Sequence, residues 1–389
     1  MSFIKIIFLL LFLTYTSISG VYAQQYSPAL QKVLSKNKAL KPYLKNAQNY
    51  HIQIIYTPVS ETNQLGETQY WRYMPQEYFY PASTVKLPLA LLALEFLKKK
   101  GLDSQSPYSS ISTLPNYPSV SGDSTAASGE ASVAHYVKKI LLVSDNDAYN
   151  RLYDLLGPDY INENLKKKGF DHVRINHRLD IFMSQSQNSQ VPEVYIGTQK
   201  IHGLTYAKNV YTADAPILIG KAHYSMGQKL NEPLDFMAKN AFDLADQHQL
   251  LKSFFFPESV PENQRWDLTE KDRLMVENFM KMTPRESSDP KYDLPDNYVK
   301  TMLLALPKGV QISNKIGDAY GFLIENGMIF DPKTKVKFLI SAVIYANENE
   351  TLNDNTYQYD TVSIPFMKSL AAALYEQNLQ SPRRRQTKK

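Results

Sequence analysis

The chain has 389 residues, 43% of them hydrophobic and 21% charged, enough for a large core in one big domain or two small ones. It has no cysteine, so a disulfide framework and a cysteine-borne lipid anchor are both excluded. The formal charge of +5 is a terminal effect: residues 383–389 hold five cations, the rest sums to zero, and setting Lys5 aside leaves −1, so the body carries no nucleic-acid footprint.

The chain opens with a signal-peptide pattern: Lys5, then an apolar run over residues 6–13, then the small-residue site Val21-Tyr22-Ala23. That run is too short to span a bilayer comfortably, and no other segment is long and apolar enough. The expectation is an exported protein, periplasmic or secreted, with no transmembrane segment. Residues 1–23 would be removed, residues 24–380 would form the domain, and residues 381–389 a solvated basic tail.

Residues 26–47 predict a helix interrupted near Pro42. Residues 50–59 and 68–74 are rich in aromatic and β-branched side chains, with Gly66 between them, and predict a strand pair. Two strands are marginal alone and need partners from elsewhere. Ser83 and Lys86 then open a greasy helix running to about Leu97. Val133, Tyr136, Val137, Ile140 and Leu141 repeat at i, i+3, i+4, i+7, i+8, one face of a helix. A further helix begins after Ser144-Asp145-Asn146 and stops at Gly157-Pro158, and another ends at Gly169. Residues 185–261 show no clean period and read as an insertion. Thr269 with Asp272 resembles a capping box at the head of a helix. Residues 320–331 and 335–347 predict a hairpin-like strand pair, with Lys315 and Gly317 on the last residues of the preceding strand, and residues 361–377 a closing helix. The fold class is therefore α/β (α+β): an antiparallel sheet built from both termini, flanked by helices, beside an all-helical lobe with a cleft between.

A serine hydroxyl is a poor nucleophile until a base takes its proton. A lysine at i+3 lies on the same helical face, and burial or a second cation lowers its pKa towards the neutral, basic form. The helix N-terminus adds free N–H groups for an oxyanion. Alone, S-x-x-K arises about once or twice by chance in a chain this long. Ser144-Asp145-Asn146 is on its own a good helix cap, and Lys315 on its own an exposed strand lysine. The seven histidines show no zinc-ligand spacing, and His172 and His177 read as capping or surface residues. No metal or cofactor is implied.

In chain order, S-x-x-K, then S-D-N, then K-x-G resembles the signature of serine β-lactamases and penicillin-binding proteins, in detail that of class A β-lactamases. The resemblance covers most of the chain outside residues 185–261 and implies a five-stranded sheet. It makes Ser83 the acylated nucleophile, Lys86 its proton acceptor and Ser144 the donor to the leaving nitrogen. Asn146 would hold the acyl amide, Lys315 the substrate carboxylate, and Gly317 the close approach of the substrate backbone. The N–H groups of Ser83 and Asp318 would form the oxyanion hole. The implied partner is a small β-lactam or a D-Ala-containing peptidoglycan fragment, met by a protein expected to be monomeric.

Two positions depart from the pattern. The family's glutamate after Arg-Leu-Asp, which activates the deacylating water, falls on Met183, with Asp180 matched to a structural aspartate and Glu193 the next glutamate. Ile316 stands where the family has Thr or Ser, removing a hydrogen bond worth about 1–3 kcal/mol if its partner stays buried. The expectation is acylation with impaired turnover. A D-alanyl peptidase, an esterase and a non-catalytic cell-wall binding protein are the alternatives.

Overall fold

The computed structural model describes residues 25–75 and 77–380. The expected signal peptide and basic tail lie outside the described residues. No helix among the described residues is long and apolar enough to cross a membrane.

One antiparallel sheet organises the chain. Its order runs from Gln25–Tyr26 through Gln69–Tyr73, Gln53–Val59, Lys337–Tyr345 and Phe322–Phe330 to Gln311–Asn314, with Gly317–Ala319 pairing the same edge. The five expected strands are there, joined by a two-residue edge strand. The last one is split: Lys315 and Ile316 lie between its two segments instead of at the end of a continuous strand. Lys315 nonetheless keeps a ladder bond, its N–H donating to Asn326 O at 3.0 Å.

Side chains alternate across the sheet, and both faces are covered, so the strands are buried almost throughout. Ile54 and Tyr56 point with Ile340 and Ala342 into one core, closed by the final helix Ile364–Leu379 and by α1 (Pro28–Lys36). Ile55 and Val343 point the opposite way, towards Phe236 and Leu244. The interruption in the first helix comes earlier than Pro42: α1 ends at Lys36 with Asn37 as its cap, and Pro42 sits in the first turn of α2 (Lys41–Lys45), where a missing N–H costs nothing.

The helical lobe packs on the second face. Its centre is α3 (Lys86–Lys100), in which Leu87, Leu89, Leu91, Leu92 and Leu94 are all buried. Each such leucine contributes about 1.5–3 kcal/mol. Around it lie α4 (Val133–Val143) and α5 (Asn146–Leu156), with helix Glu270–Lys281 capped by Thr269, whose hydroxyl accepts from the Asp272 N–H at 3.0 Å.

The insertion is not a separate body. Its helix Leu244–Phe255 lies on the sheet, where the buried His248 bridges Thr57 Oγ1 at 2.8 Å and Ser341 Oγ at 3.0 Å. Its strand Ala222–Ser225 pairs in parallel with Thr351–Leu352 near the end of the chain. These strands have only two to four residues each, too few to show a period in the sequence.

Candidate active site

The nucleophile segment begins with a tight 3-10 turn, Ala82–Val85, which runs directly into α3. Thr84 fixes that turn, its hydroxyl donating to Pro81 O at 2.7 Å. Pro88 is therefore in the first turn of α3, among the N–H groups that lack intrahelical partners, and breaks nothing. Ser144 ends α4 in a left-handed conformation at φ 58°, and Asp145 caps α5 by accepting from the Ala148 N–H at 2.7 Å. This corner aims Ser144 and Asn146 back at the head of α3.

All the expected side chains converge. Lys86 Nζ lies 2.8 Å from Ser83 Oγ, 2.5 Å from Ser144 O, 3.1 Å from Ser144 Oγ and 2.6 Å from Asn146 Oδ1. Lys315 Nζ donates to Ser144 Oγ at 2.8 Å and to Ile316 O at 2.8 Å. Lys86 is fully buried, and burial together with the neighbouring Lys315 charge holds its pKa well below the ordinary lysine value. A neutral Lys86 amine has two hydrogens, and two of its neighbours, Ser144 O and Asn146 Oδ1, are pure acceptors. Once these take both hydrogens, the nitrogen lone pair is left for the Ser83 hydroxyl proton.

Gly317 is where it must be. A Cβ there would fall 2.7 Å from Pro81 O, 2.8 Å from Ser83 N and 3.0 Å from Thr84 N, all backbone atoms that cannot swing aside. The added carbon would cover the Ser83 N–H, the group expected to receive an oxyanion. Gly317→Ala should lower the acylation rate by about 10²-fold or more, the usual effect of losing an oxyanion donor. Stopped-flow acylation of the variant against the wild type checks this.

Behind Lys315 lies a buried polar chain that the sequence did not announce. Lys300 Nζ donates to Asn314 Oδ1 at 3.0 Å, Asn314 Nδ2 donates to Glu325 Oε1 at 2.5 Å, and Thr301 Oγ1 donates to Glu325 Oε2 at 2.7 Å. Burial pulls the Lys300 and Lys315 ammonium groups down to about 7 and pushes the Glu325 carboxyl up. Lys300 and Glu325 share no helical or strand motif, so only spatial proximity reveals them.

The segment after Phe170 corrects the expected register. Arg178 forms a fully buried ion pair with Asp154, Nη2 to Oδ1 at 2.7 Å, and Tyr117 donates to the other carboxylate oxygen at 2.7 Å. The structural aspartate is thus Asp154 on α5, not Asp180. Asn150, one turn beyond Asn146, clamps Leu179 by accepting from its N–H at 2.8 Å and donating to its carbonyl at 3.0 Å. Leu179 and Asp180 therefore line the cleft, while Met183 lies away from it with its sulfur 3.8 Å from Arg178 Nη1. Glu193 is on another sheet, bound to Lys200 and Tyr195, and does not reach the cleft. His177 is no surface residue either, since its ring stacks on the buried Tyr80 at 6.2 Å. Arg178→Met would strand a buried Asp154 charge and should destabilise the fold by about 3–5 kcal/mol, read from urea unfolding.

The cleft is a cavity of about 430 Å³ whose walls include Ser83, Asn146, Leu179, Asp180, Asp318 and Tyr320. Ala82, Ser144, Asp180 and Tyr320 all have positive φ, between 48° and 58°. Each such non-glycine conformation costs about 1 kcal/mol or more, and their gathering around one opening marks a functional site.

Residues 37–215 match the Beta-lactamase enzyme family. Among solved structures, PBP-A, captured in a mutant form as an acyl-enzyme complex with penicillin G, is 14% identical, covers 90% of this chain and 96% of its own, and has a TM-score of 0.53. The fold is that of the β-lactamases and penicillin-binding proteins. A β-lactamase from Chitinophaga pinensis shares the fold at 12% identity, covering 90% of this chain and 97% of its own with a TM-score of 0.51. One from Desulfarculus baarsii does so at 16% identity, 89% and 97% coverage and a TM-score of 0.51. No curated protein matches the chain in sequence. The matched segment holds Ser83, Lys86, Ser144 and Asn146, and ends before Lys315.

Proposed function

We propose that the protein is an exported serine hydrolase of the β-lactamase type that opens a β-lactam, or a related D-Ala amide, through an acyl-enzyme on Ser83. The carrying observation is the Lys86 amine, buried, 2.8 Å from Ser83 Oγ, with two carbonyl acceptors for its hydrogens. Lys86 Nζ takes the Ser83 proton as Oγ attacks the carbonyl, and the Ser83 and Asp318 N–H groups receive the oxyanion. As the tetrahedral adduct collapses, the C–N bond breaks and the leaving nitrogen takes the Ser144 proton. Ser144 is reprotonated from the Lys86 ammonium across their 3.1 Å contact. Lys315, charged beside Ser144, holds the substrate carboxylate. With Ile316 in place of a hydroxyl residue, that carboxylate has one donor fewer.

Deacylation is the slow half. The wall facing Ser83 carries Leu179 and then Asp180, whose carboxylate is one methylene shorter than glutamate. Asp180 is the base for the hydrolytic water, working from an imperfect reach. A penicillin-binding role, in which the acyl-enzyme persists, is the second reading, and the leucine on that wall favours it.

Incubating the protein with a chromogenic penicillin, while following intact mass and ring opening for hours, separates the cases. Rapid ring opening that is lost in Ser83→Ala supports hydrolysis. A stable adduct on Ser83 supports penicillin binding. Neither adduct nor opening overturns the β-lactam reading and leaves other acyl substrates or a cell-wall binding role.

A further inference from the structure

A second cavity, of about 360 Å³, opens off the catalytic one and shares Tyr80, Leu179, Asp180, Tyr320 and Asn353 with it. Its outer wall comes from the insertion. Strand Ala222–Ser225 is held in register with Thr351–Leu352, and Asn353 Nδ2 donates to Tyr224 O at 3.0 Å, which fixes Tyr224 and Met226 beside the cleft. Phe182 completes the wall from the other side. Phe182 is 82% exposed and Met226 85% exposed, an arrangement that leaves two large apolar side chains in water around one hollow.

The floor is built for contact as well. Insertion residue Phe236 packs edge-on under Tyr320 at 5.1 Å and beside Tyr80 at 5.8 Å, so the aromatic base cannot shift. His177 Nδ1 donates to Arg178 O at 2.7 Å, which makes Nε2 the acceptor of the ring; that atom is buried and has no partner. Burial also pulls the His177 pKa down to about 4, so the ring is neutral at pH 7.

We infer that this annex receives the acyl side chain of the substrate and selects a bulky aromatic group. The inference rests on Ser83 as the acylated residue. Continuity with the catalytic cavity names the occupant: the shared wall, Leu179 and Asp180, lies beside Asn146, the acyl-amide residue, whereas Lys315 holds the opposite end of the substrate. Room is ample, since a cavity of about 150 Å³ already admits benzene. The residues 185–261 thus act as a specificity element.

Two readouts test it. First, acylation by penicillin G, with its phenylacetyl side chain, is compared by intact mass with that of the matching penicillin bearing an acetyl group. The phenylacetyl compound should react about tenfold faster or more, and the ratio should fall towards one in the Phe182→Ser/Met226→Ser double variant. Second, in Ser83→Ala protein with ¹³C-methyl methionine, the Met226 signal, assigned by its loss in Met226→Ser, should move with phenylacetylglycine and stay still with acetylglycine. Equal acylation rates, or an unmoved Met226 signal, overturn the annex. Should no penicillin acylate Ser83, the catalytic reading fails, and the Met226 signal alone then decides the annex.

Discussion

Replacing Lys86 by alanine should lower the rate of Ser83 acylation by about 10²–10⁴-fold, the range for a lost general base. Circular dichroism should change little, because the side chain fills a polar knot rather than the apolar body of α3. The wild-type pH profile carries the same information. An ordinary lysine is charged at neutrality, but burial and the Lys315 charge disfavour the Lys86 ammonium. Acylation should therefore set in well below the pH at which an ordinary lysine discharges, rising as Lys86 loses its proton. It should fall again above about pH 7 as the Lys315 ammonium discharges and releases the substrate carboxylate. The two limbs belong to the coupled pair, joined through Ser144 Oγ, and not to either residue singly. In Lys315→Met the falling limb should vanish and the rising one should move to higher pH, because the charge that helps to hold the Lys86 pKa down is gone. Initial acylation rates between pH 4 and 10 check this, and a flat profile would remove Lys86 as the base.

Asp180→Asn should leave acylation within a few-fold and slow release of the acyl group by about 10²–10⁴-fold, turning any turnover into a lasting adduct. The asparagine keeps the size and the left-handed backbone, which asparagine tolerates well at φ 56°. What it removes is the negative charge that can take a proton from water. Intact mass after a short exposure to penicillin, followed as the adduct decays, gives both rates. Met183→Ala serves as the contrasting variant, because Met183 lies off the cleft. If Met183→Ala slowed release and Asp180→Asn did not, the register over residues 178–183 would be wrong.

That register shows where sequence reading stopped. Ser83, Lys86, Ser144, Asn146, Lys315 and Gly317 were legible because each sits in a short motif whose local geometry is fixed by a helix start, a helix cap or a strand. The loop from Arg178 onwards has no such period. Only the Arg178–Asp154 pair and the Asn150 clamp on Leu179, contacts across 24 and 29 residues, decide which side chain faces the serine. Asn150 stands one helical turn after Asn146, a spacing that puts a second polar group on the same face of the helix. The sheet was legible from its alternation and its ends. The short strands of residues 190–235 were not, since pairing of two to four residues is set by tertiary contacts. The same is true of Lys300 and Glu325, which meet only through Asn314.

The central pair of strands, Gln53–Val59 and Lys337–Tyr345, joins residues nearly 300 positions apart, with Val59 opposite Lys337 and Gln53 opposite Val343. Loop closure on that scale is slow, and contact order sets the pace of folding. A ribosome must have made almost the whole polypeptide before the scaffold beneath the serine can form. Until residues 337–345 have emerged, the nascent chain therefore lacks the central strand of the sheet that underlies Ser83.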